Sequence, residues 1–355
     1  MILSTDPISS RDRERIFYWL LVCCIMVFSM VILGGAVRLT GSGLSMVDWN
    51  LLMGVIPPTS SADWEQAFFQ YQQFPEYKYV NSDMSLSEFQ FIYLMEWAHR
   101  VLGRLIGIVY FFPFLFFFWT KKLASGLFTR LVFLLLLGAV QGGVGWYMVK
   151  SGLVDDPHVS QYRLTLHFMI AVFIYGYMVR VMVGLRPELQ LSLSPGKLPL
   201  GIVVVSFLLL MMSSGAMVAG IRAGFIFNTY PMMGESWVPD QLFGLTPLWK
   251  NFFENAITIQ FVHRWLAIIV WLLTTVFAVL LMRTKSLGAT KLGGYLGAII
   301  LFVVSCQVLL GIATLVMRVP VALGVMHQGG ALILLTSVVV AAASFMPKLF
   351  HQPDV

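Results

Sequence analysis

The sequence predicts an all-α integral membrane protein, with eight transmembrane helices arranged as two parallel four-helix-bundle repeats. Three observations carry this. Of 355 residues, 58% are hydrophobic and only 11% charged, whereas soluble domains carry about 25% charged residues. Apolar runs long enough to span a bilayer, about 20 residues, occur eight times. Motifs of the first half return in the second half in the same order.

The runs fall at 16–37, 89–119, 126–149, 161–184, 198–220, 254–282, 291–317 and 321–346. The first follows a short polar stretch, Met1 to Arg15. It is too long for a signal-peptide core and has no clear cleavage site, so it reads as a retained helix. The second and sixth runs exceed one bilayer thickness and are expected to tilt or project. Between the first two lies the longest loop, roughly 38–88. It passes through Pro57-Pro58 into an aromatic, amide-rich stretch from Trp64 to Tyr79. A loop of this length is either functional or a folded cap. The connection between the fifth and sixth runs, roughly 221–253, is the second longest.

The internal repeat rests on four correspondences. Glu96-Trp-Ala-His99-Arg100 is echoed by Gln260-Phe-Val-His263-Arg264, and Gln141-Gly-Gly-Val-Gly145 by Gln307-Val-Leu-Leu-Gly311. Gly34-Gly-Ala-Val-Arg38 resembles the stretch from Gly215 to Arg222. His99 precedes His167 much as His263 precedes His327. Four runs per half is an even number, so halves 1–190 and 191–355 share one orientation, unlike the inverted repeats of many transporters.

The formal charge of +6 does not indicate nucleic acid, because the basic residues are scattered through short loops. With the N-terminus inside, thirteen Lys and Arg fall in inner segments and seven in outer ones, and Arg100, Arg104 and Arg264 lie within helices. This favours both termini in the cytoplasm, or in the matrix of a mitochondrion. Cys23, Cys24 and Cys306 all lie in apolar runs, with no CxxC motif and no disulfide framework.

The six histidines divide into two groups. His158, beside Asp155 and Asp156, and His351 read as ordinary surface residues. His99, His167, His263 and His327 fall on helices two, four, six and eight, each about 6–10 residues from the outer end. At about 1.5 Å per residue all four lie roughly 9–15 Å deep. Ionisable groups inside a membrane mark working sites. Two histidines at equal depth on neighbouring antiparallel helices suit axial ligation of a haem between them. Gly103, Gly107, Gly329 and Gly330 would give the macrocycle room, or simply allow close helix packing. Zinc fits less well, because converging carboxylates or thiolates are missing. Copper lacks a methionine–histidine cluster.

Glu96 in the first half faces Gln260 in the second. A carboxylate beside one macrocycle acts as a base or stabilises a developing cation; alternatively it forms an i,i+4 ion pair with Arg100. Arg100, Arg104 and Arg264 suit haem propionates or snorkel to the interface. Competing function classes are a di-haem b-type cytochrome that only transfers electrons, and a two-repeat transporter. The Glu96/Gln260 difference speaks against the first, and the outward concentration of polar residues against the second.

These motifs resemble the haem A synthase family, in its proteobacterial and mitochondrial branch, over nearly the whole chain. The matching pieces are GGAVRLTGSGLSMVDWN from Gly34, EFQFIYLMEWAHRVLGRLIG from Glu88, QGGVGWYMVKSGL from Gln141 and VSQYRLTLHF from Val159. They continue with GAMVAGIRAGFIFNTYPMMG from Gly215, NFFENAITIQFVHR from Asn251, QVLLGIATL and VPVALGVMHQGGA. The resemblance implies an oxidoreductase that converts a methyl group of haem O to a formyl group through successive hydroxylations, giving haem A for terminal oxidases. It implies that His99 and His167 hold the substrate haem, that His263 and His327 hold a haem B cofactor, and that Glu96 is the functional glutamate. A first-loop cysteine pair found in some bacterial members is missing, so no thiol mechanism is assigned. Expected partners are the lipid bilayer, an electron-transfer partner and, transiently, a haem O synthase; self-association is left open. With no transit peptide evident, the expected location is a bacterial inner membrane, or the mitochondrial inner membrane if the source is eukaryotic.

Overall fold

The computed structural model describes residues 8–47, 53–152, 159–189, 197–283 and 289–345. His158 and His351 lie outside these residues, as do Asp48, Trp49, Asp155 and Asp156. In chain order the helices are α1 (Ser10–Leu39), α2 (Ser61–Gln72), α3 (Pro75–Val80), α4 (Leu86–Trp119), α5 (Ser125–Gly152), α6 (Gln161–Gly184), α7 (Lys197–Gly220), α8 (Asn251–Glu254), α9 (Ala256–Met282), α10 (Ala289–Val316) and α11 (Val321–Ser344). Eight of them, all but α2, α3 and α8, are long and apolar enough to cross a membrane. The protein is therefore all-α with eight spans. Its surface agrees: Phe112, Leu136, Phe302 and Leu309 are each at least 60% exposed on spanning helices, an apolar belt that lipid would cover.

Helix ends differ from the apolar runs where polar caps add turns. α1 begins before its apolar run, because the Ser9 side chain accepts from the Asp12 N–H at 3.1 Å and Arg11, Asp12 and Arg13 continue the helix. α4 begins at Leu86 through a reciprocal cap between Ser85 and Glu88. At the other long run, Asn255 breaks the chain between α8 and α9. Its backbone is extended, and its side chain accepts from the N–H groups of Ile257 and Thr258.

The connection after α1 is a folded cap. α2 starts with its own reciprocal cap between Ser60 and Asp63 and packs on α4. Tyr71 stacks on Phe89 with ring centroids 5.2 Å apart, and Trp64 meets Phe89 and Tyr93 edge-on. The outer turns of α4 thus belong to the cap. His99 consequently lies thirteen residues into α4, while His167, His263 and His327 lie six or seven residues into theirs. The depth expected for His99 from its helix end has to be corrected for this overhang.

α1 packs against α4 and α6, α4 against α5, and α5 against α6. In the second half α7 packs against α9 and α11, α9 against α10, and α10 against α11. The two sets meet where α11 touches α1 and α6 and where α6 touches α7. All eight spans feed one continuous apolar core, which includes Leu20, Phe114, Leu131, Val172, Val204, Phe277, Ile300 and Leu335. Cys23, Cys24 and Cys306 are free thiols. The long connections, after α1 and after α7, sit on one side of the molecule, called here the long-loop side.

Candidate functional site

Each of the four intramembrane histidines docks against a glycine of the preceding spanning helix. A Cβ on Gly34 of α1 would lie 3.1 Å from His99 Nε2, and one on Gly145 of α5 would lie 2.9 Å from His167 Cε1. In the second half, Gly215 of α7 stands 3.2 Å from His263 Cε1 by the same measure, and Gly311 of α10 stands 2.8 Å from His327 Cε1. The pattern is helix one to two and three to four, in both halves. α4 and α6, which carry His99 and His167, both pack against α1 and α5, and α9 and α11, which carry His263 and His327, both pack against α7 and α10, so the four histidines fall into two sets.

The rings are held by further side chains. Ser214 Oγ lies 2.8 Å from His263 Nδ1, which orients that imidazole and turns Nε2 to the opposite side. Gln141 Nε2 lies 3.3 Å from His167 Nε2, and the Gln307 amide donates to the His327 carbonyl at 2.9 Å. Gln141 and Gly145 are four residues apart on α5 and so face one way, and Gln307 and Gly311 repeat this on α10. The repeated Gln-x-x-x-Gly spacing was visible in the sequence; its target, the histidine of the next helix, was not. Of the four glycines expected to give a macrocycle room, a Cβ would lie nearest Met30 at Gly103, Ile32 at Gly329 and Gln307 at Gly330, and would meet open space at Gly107.

His167 Nδ1, Gln141 Oε1, His327 Nδ1 and Gln307 Oε1 are buried polar atoms without protein partners. An unmet buried donor or acceptor costs about 1–3 kcal/mol, so a polar ligand at either histidine would be favoured. Among the described residues no three His, Cys, Asp or Glu side chains converge. Among the described residues a metal would therefore find single imidazoles on neighbouring helices, a donor set that suits axial ligation of haem iron.

Glu96 is buried and its carboxylate accepts four hydrogen bonds. Ser45 Oγ and the Met46 N–H both donate to Oε2 at 2.8 Å. Arg100 donates twice to Oε1, through Nε at 3.1 Å and through Nη2, and Arg100 Nη2 also donates to the Met46 carbonyl at 2.9 Å. The ion pair with Arg100 therefore exists, and with it a clamp that pins the chain after α1 onto α4. The second half builds the same clamp without the carboxylate. Gln260 Nε2 donates to the Phe227 carbonyl at 3.1 Å. Arg264 donates to the carbonyls of Phe227, Thr229 and Met232 at 2.8–3.1 Å. Arg104 lies one turn further along α4, partly buried. Sequence reasoning found Glu96 and Arg100 but not Ser45 or Met46, whose approach depends on a turn about 50 residues away.

Comparison with known proteins places this arrangement. The family model for the cytochrome oxidase assembly proteins (COX15-CtaA) matches residues 17–339. A heme A synthase of Nitrosospira multiformis is 44% identical over 329 residues, covering 92% of this chain and 92% of that protein. The Homo sapiens heme A synthase COX15 is 43% identical over 354 residues, covering 94% of this chain and 83% of the human protein. A heme A synthase of Parvibaculum lavamentivorans is 42% identical, with 92% of each chain covered. With eight spans, four glycine-docked histidines and a match along nearly its whole length, the chain belongs to the COX15-CtaA family of cytochrome oxidase assembly proteins.

Proposed function

We propose that this protein is a haem A synthase, an oxidoreductase that converts haem O to haem A for the terminal oxidases. The observation that carries this is the set of four glycine-docked histidines in a chain at least 40% identical to curated heme A synthases over more than nine-tenths of its length.

Residues 1–190 and 191–355 are read as two parallel copies of one four-helix bundle. The packing order supports this: each set of four spans closes in the same sequence, and the first and fourth helices of each half make the contacts between halves. Haem O is assigned to His99 and His167, with Arg100 and Arg104 near enough along α4 to serve its propionates. Haem B is assigned to His263 and His327, with Arg264 beside them. When bound, haem B supplies one-electron redox chemistry. Ser214 orients His263, and the glycines Gly34, Gly145, Gly215 and Gly311 let each imidazole stand close to its neighbouring helix.

Glu96 is assigned to the oxidised substrate's half because the other half carries Gln260. Its oxygens already accept four hydrogen bonds, so it is better placed as a fixed negative charge than as a proton acceptor. A negative charge one turn from His99 stabilises positive charge that develops on the substrate during oxidation. The long-loop side is read as the periplasmic side, or the intermembrane space in a mitochondrion, with both termini opposite, as the Lys and Arg distribution favours. Partners are the substrate haem, the bilayer, an electron-transfer protein and, at hand-over, a haem O synthase.

The test is the identity of haem extracted from protein purified out of a host that also makes haem O. Haem B together with haem O, a hydroxylated form or haem A is the expected result. Two haem B per chain, unchanged under turnover conditions, would overturn the assignment.

A further inference from the structure

The Glu96 carboxylate already accepts four hydrogen bonds, and oxidation of a methyl group to a formyl group must exchange protons with water. The structure holds a second buried carboxyl on the long-loop side. Glu76 of α3 is only 8% exposed and accepts from Tyr71 Oη at 3.1 Å. Asn81 donates to that same phenol at 2.8 Å. Tyr71 stacks on Phe89, and Phe89, Ile92 and Glu96 form one buried face of α4. Seven residues of helix separate Phe89 from Glu96, about 10 Å. Glu76, bonded to the tyrosine that stacks on Phe89, therefore lies toward the long-loop side of Glu96. A wide-open cavity of about 610 Å³ lies on that side, lined by Thr40, Asn81, Asp83, Glu88 and Ile92 and reached from Glu76 only through Tyr71 and Asn81. It reaches Asn81, the residue holding the Tyr71 phenol, and Ile92, one turn from Glu96.

We propose that Glu76 exchanges protons between this cavity and the Glu96 end of the substrate-haem site. The inference rests on the haem A synthase reading given above. The Glu76 carboxylate takes a proton to give the neutral acid, then loses it to water in the cavity and returns to the carboxylate. No electrons move in this step, and it runs in either direction. Groups facing Glu76 are Tyr71, Glu96 and Arg222, the last from the connection after α7. Burial, the largest influence, pushes the Glu76 carboxyl up to about 7, against the opposing hydrogen bond from Tyr71 and the Arg222 charge. A carboxyl poised there is neutral or ionised with comparable ease at physiological pH, as a proton-exchanging group requires.

Glu76→Gln keeps the size and hydrogen bonding of the side chain but holds no exchangeable acid proton. In purified, haem-loaded protein, three readings are compared with wild type: haem content, the pH profile of haem A formation, and the infrared titration of protonated carboxyl groups. Expected for Glu76→Gln are unchanged haem content, a rate lower by about a hundredfold, the lower end of a positioned proton donor's contribution, and loss of both the kinetic inflection and the carboxyl band that titrate near pH 7. Tyr71→Phe, which removes a hydrogen bond to the carboxylate, is expected to move both to higher pH. Wild-type rate and an unchanged profile in Glu76→Gln would overturn the relay while leaving the synthase reading intact. If Glu76→Gln fails to fold, an unmoved inflection and band in Tyr71→Phe would overturn it alone. A wild-type protein that makes no haem A would remove the synthase reading and the relay with it.

Discussion

Glu96 and Gln260 stand at matching places and share a mechanical task, pinning the chain that follows the first helix of their half. The difference between them is charge. Removing the carboxylate outright, as in Glu96→Ala, leaves the buried Arg100 guanidinium without its anion. Breaking a buried pair in this way costs about 3–5 kcal/mol. Glu96→Gln is expected to lose distinctly less, because a carboxamide of the same size keeps one oxygen to accept from Ser45 and Met46 or from Arg100. Denaturation midpoints of the two variants in detergent, set beside their haem content, check this order. Haem A formation should fall in both, and a Glu96→Gln protein that oxidises haem O at the wild-type rate would refute the electrostatic role. The reverse change, Gln260→Glu, points a carboxylate at the Phe227 carbonyl and should weaken the second clamp.

Spanning helices are joined in twos through a histidine and a glycine. At Gly145 and Gly311 an added methyl would fall 2.9 and 2.8 Å from an imidazole carbon, closer than side-chain atoms approach. Gly145→Ala should displace His167 and deplete haem from the first half; Gly311→Ala should do so through His327 in the second. Gly138→Ala and Gly142→Ala, where the space is open, serve as controls on the same helix as Gly145. Haem stoichiometry with mass identification separates the two losses. The folded cap of α2 and α3 makes a different prediction. Glu76 is raised from 4.5 to about 7, so the folded cap binds protons more readily than the unfolded chain. This contribution is complete below about pH 4.5 and is lost as the pH rises through about 7. Proteolysis within 61–80 should therefore quicken from acid to neutral pH in wild type, and much less in Glu76→Gln. The spans were legible in the sequence because twenty-residue apolar runs interrupted by His and Arg are unmistakable. The cap helices were not, since Trp64, Phe68 and Tyr71 become an apolar face only once Phe89 lies beneath them. The docking glycines were visible as repeats, but their partners sit on other helices.

At the scale of the whole molecule, the halves are joined by close helix contacts. Gly220 at the end of α7 meets Gln161 at the start of α6; a Cβ there would lie 2.8 Å from the Gln161 Cα. Arg38 at the end of α1 donates to the carbonyls of Ala219 and Gly220 at 2.8 and 3.1 Å. Gly220→Ala should force α6 and α7 apart and lower the thermal midpoint while leaving the type of haem unchanged, since no histidine touches that contact. Reporter fusions should place both ends of the chain on the same face of the membrane, as eight crossings require.

α11 also reaches into the first half. The Gln328 amide donates to the Val31 carbonyl of α1 at 2.8 Å, and its side chain fills the space that a Cβ on Gly35 would need. α11 is at the same time the source of His327. One helix thus braces both halves: displacing α11 takes His327 from the second and the Gln328 contact from α1 of the first, so damage to this single span is felt on both sides of the seam.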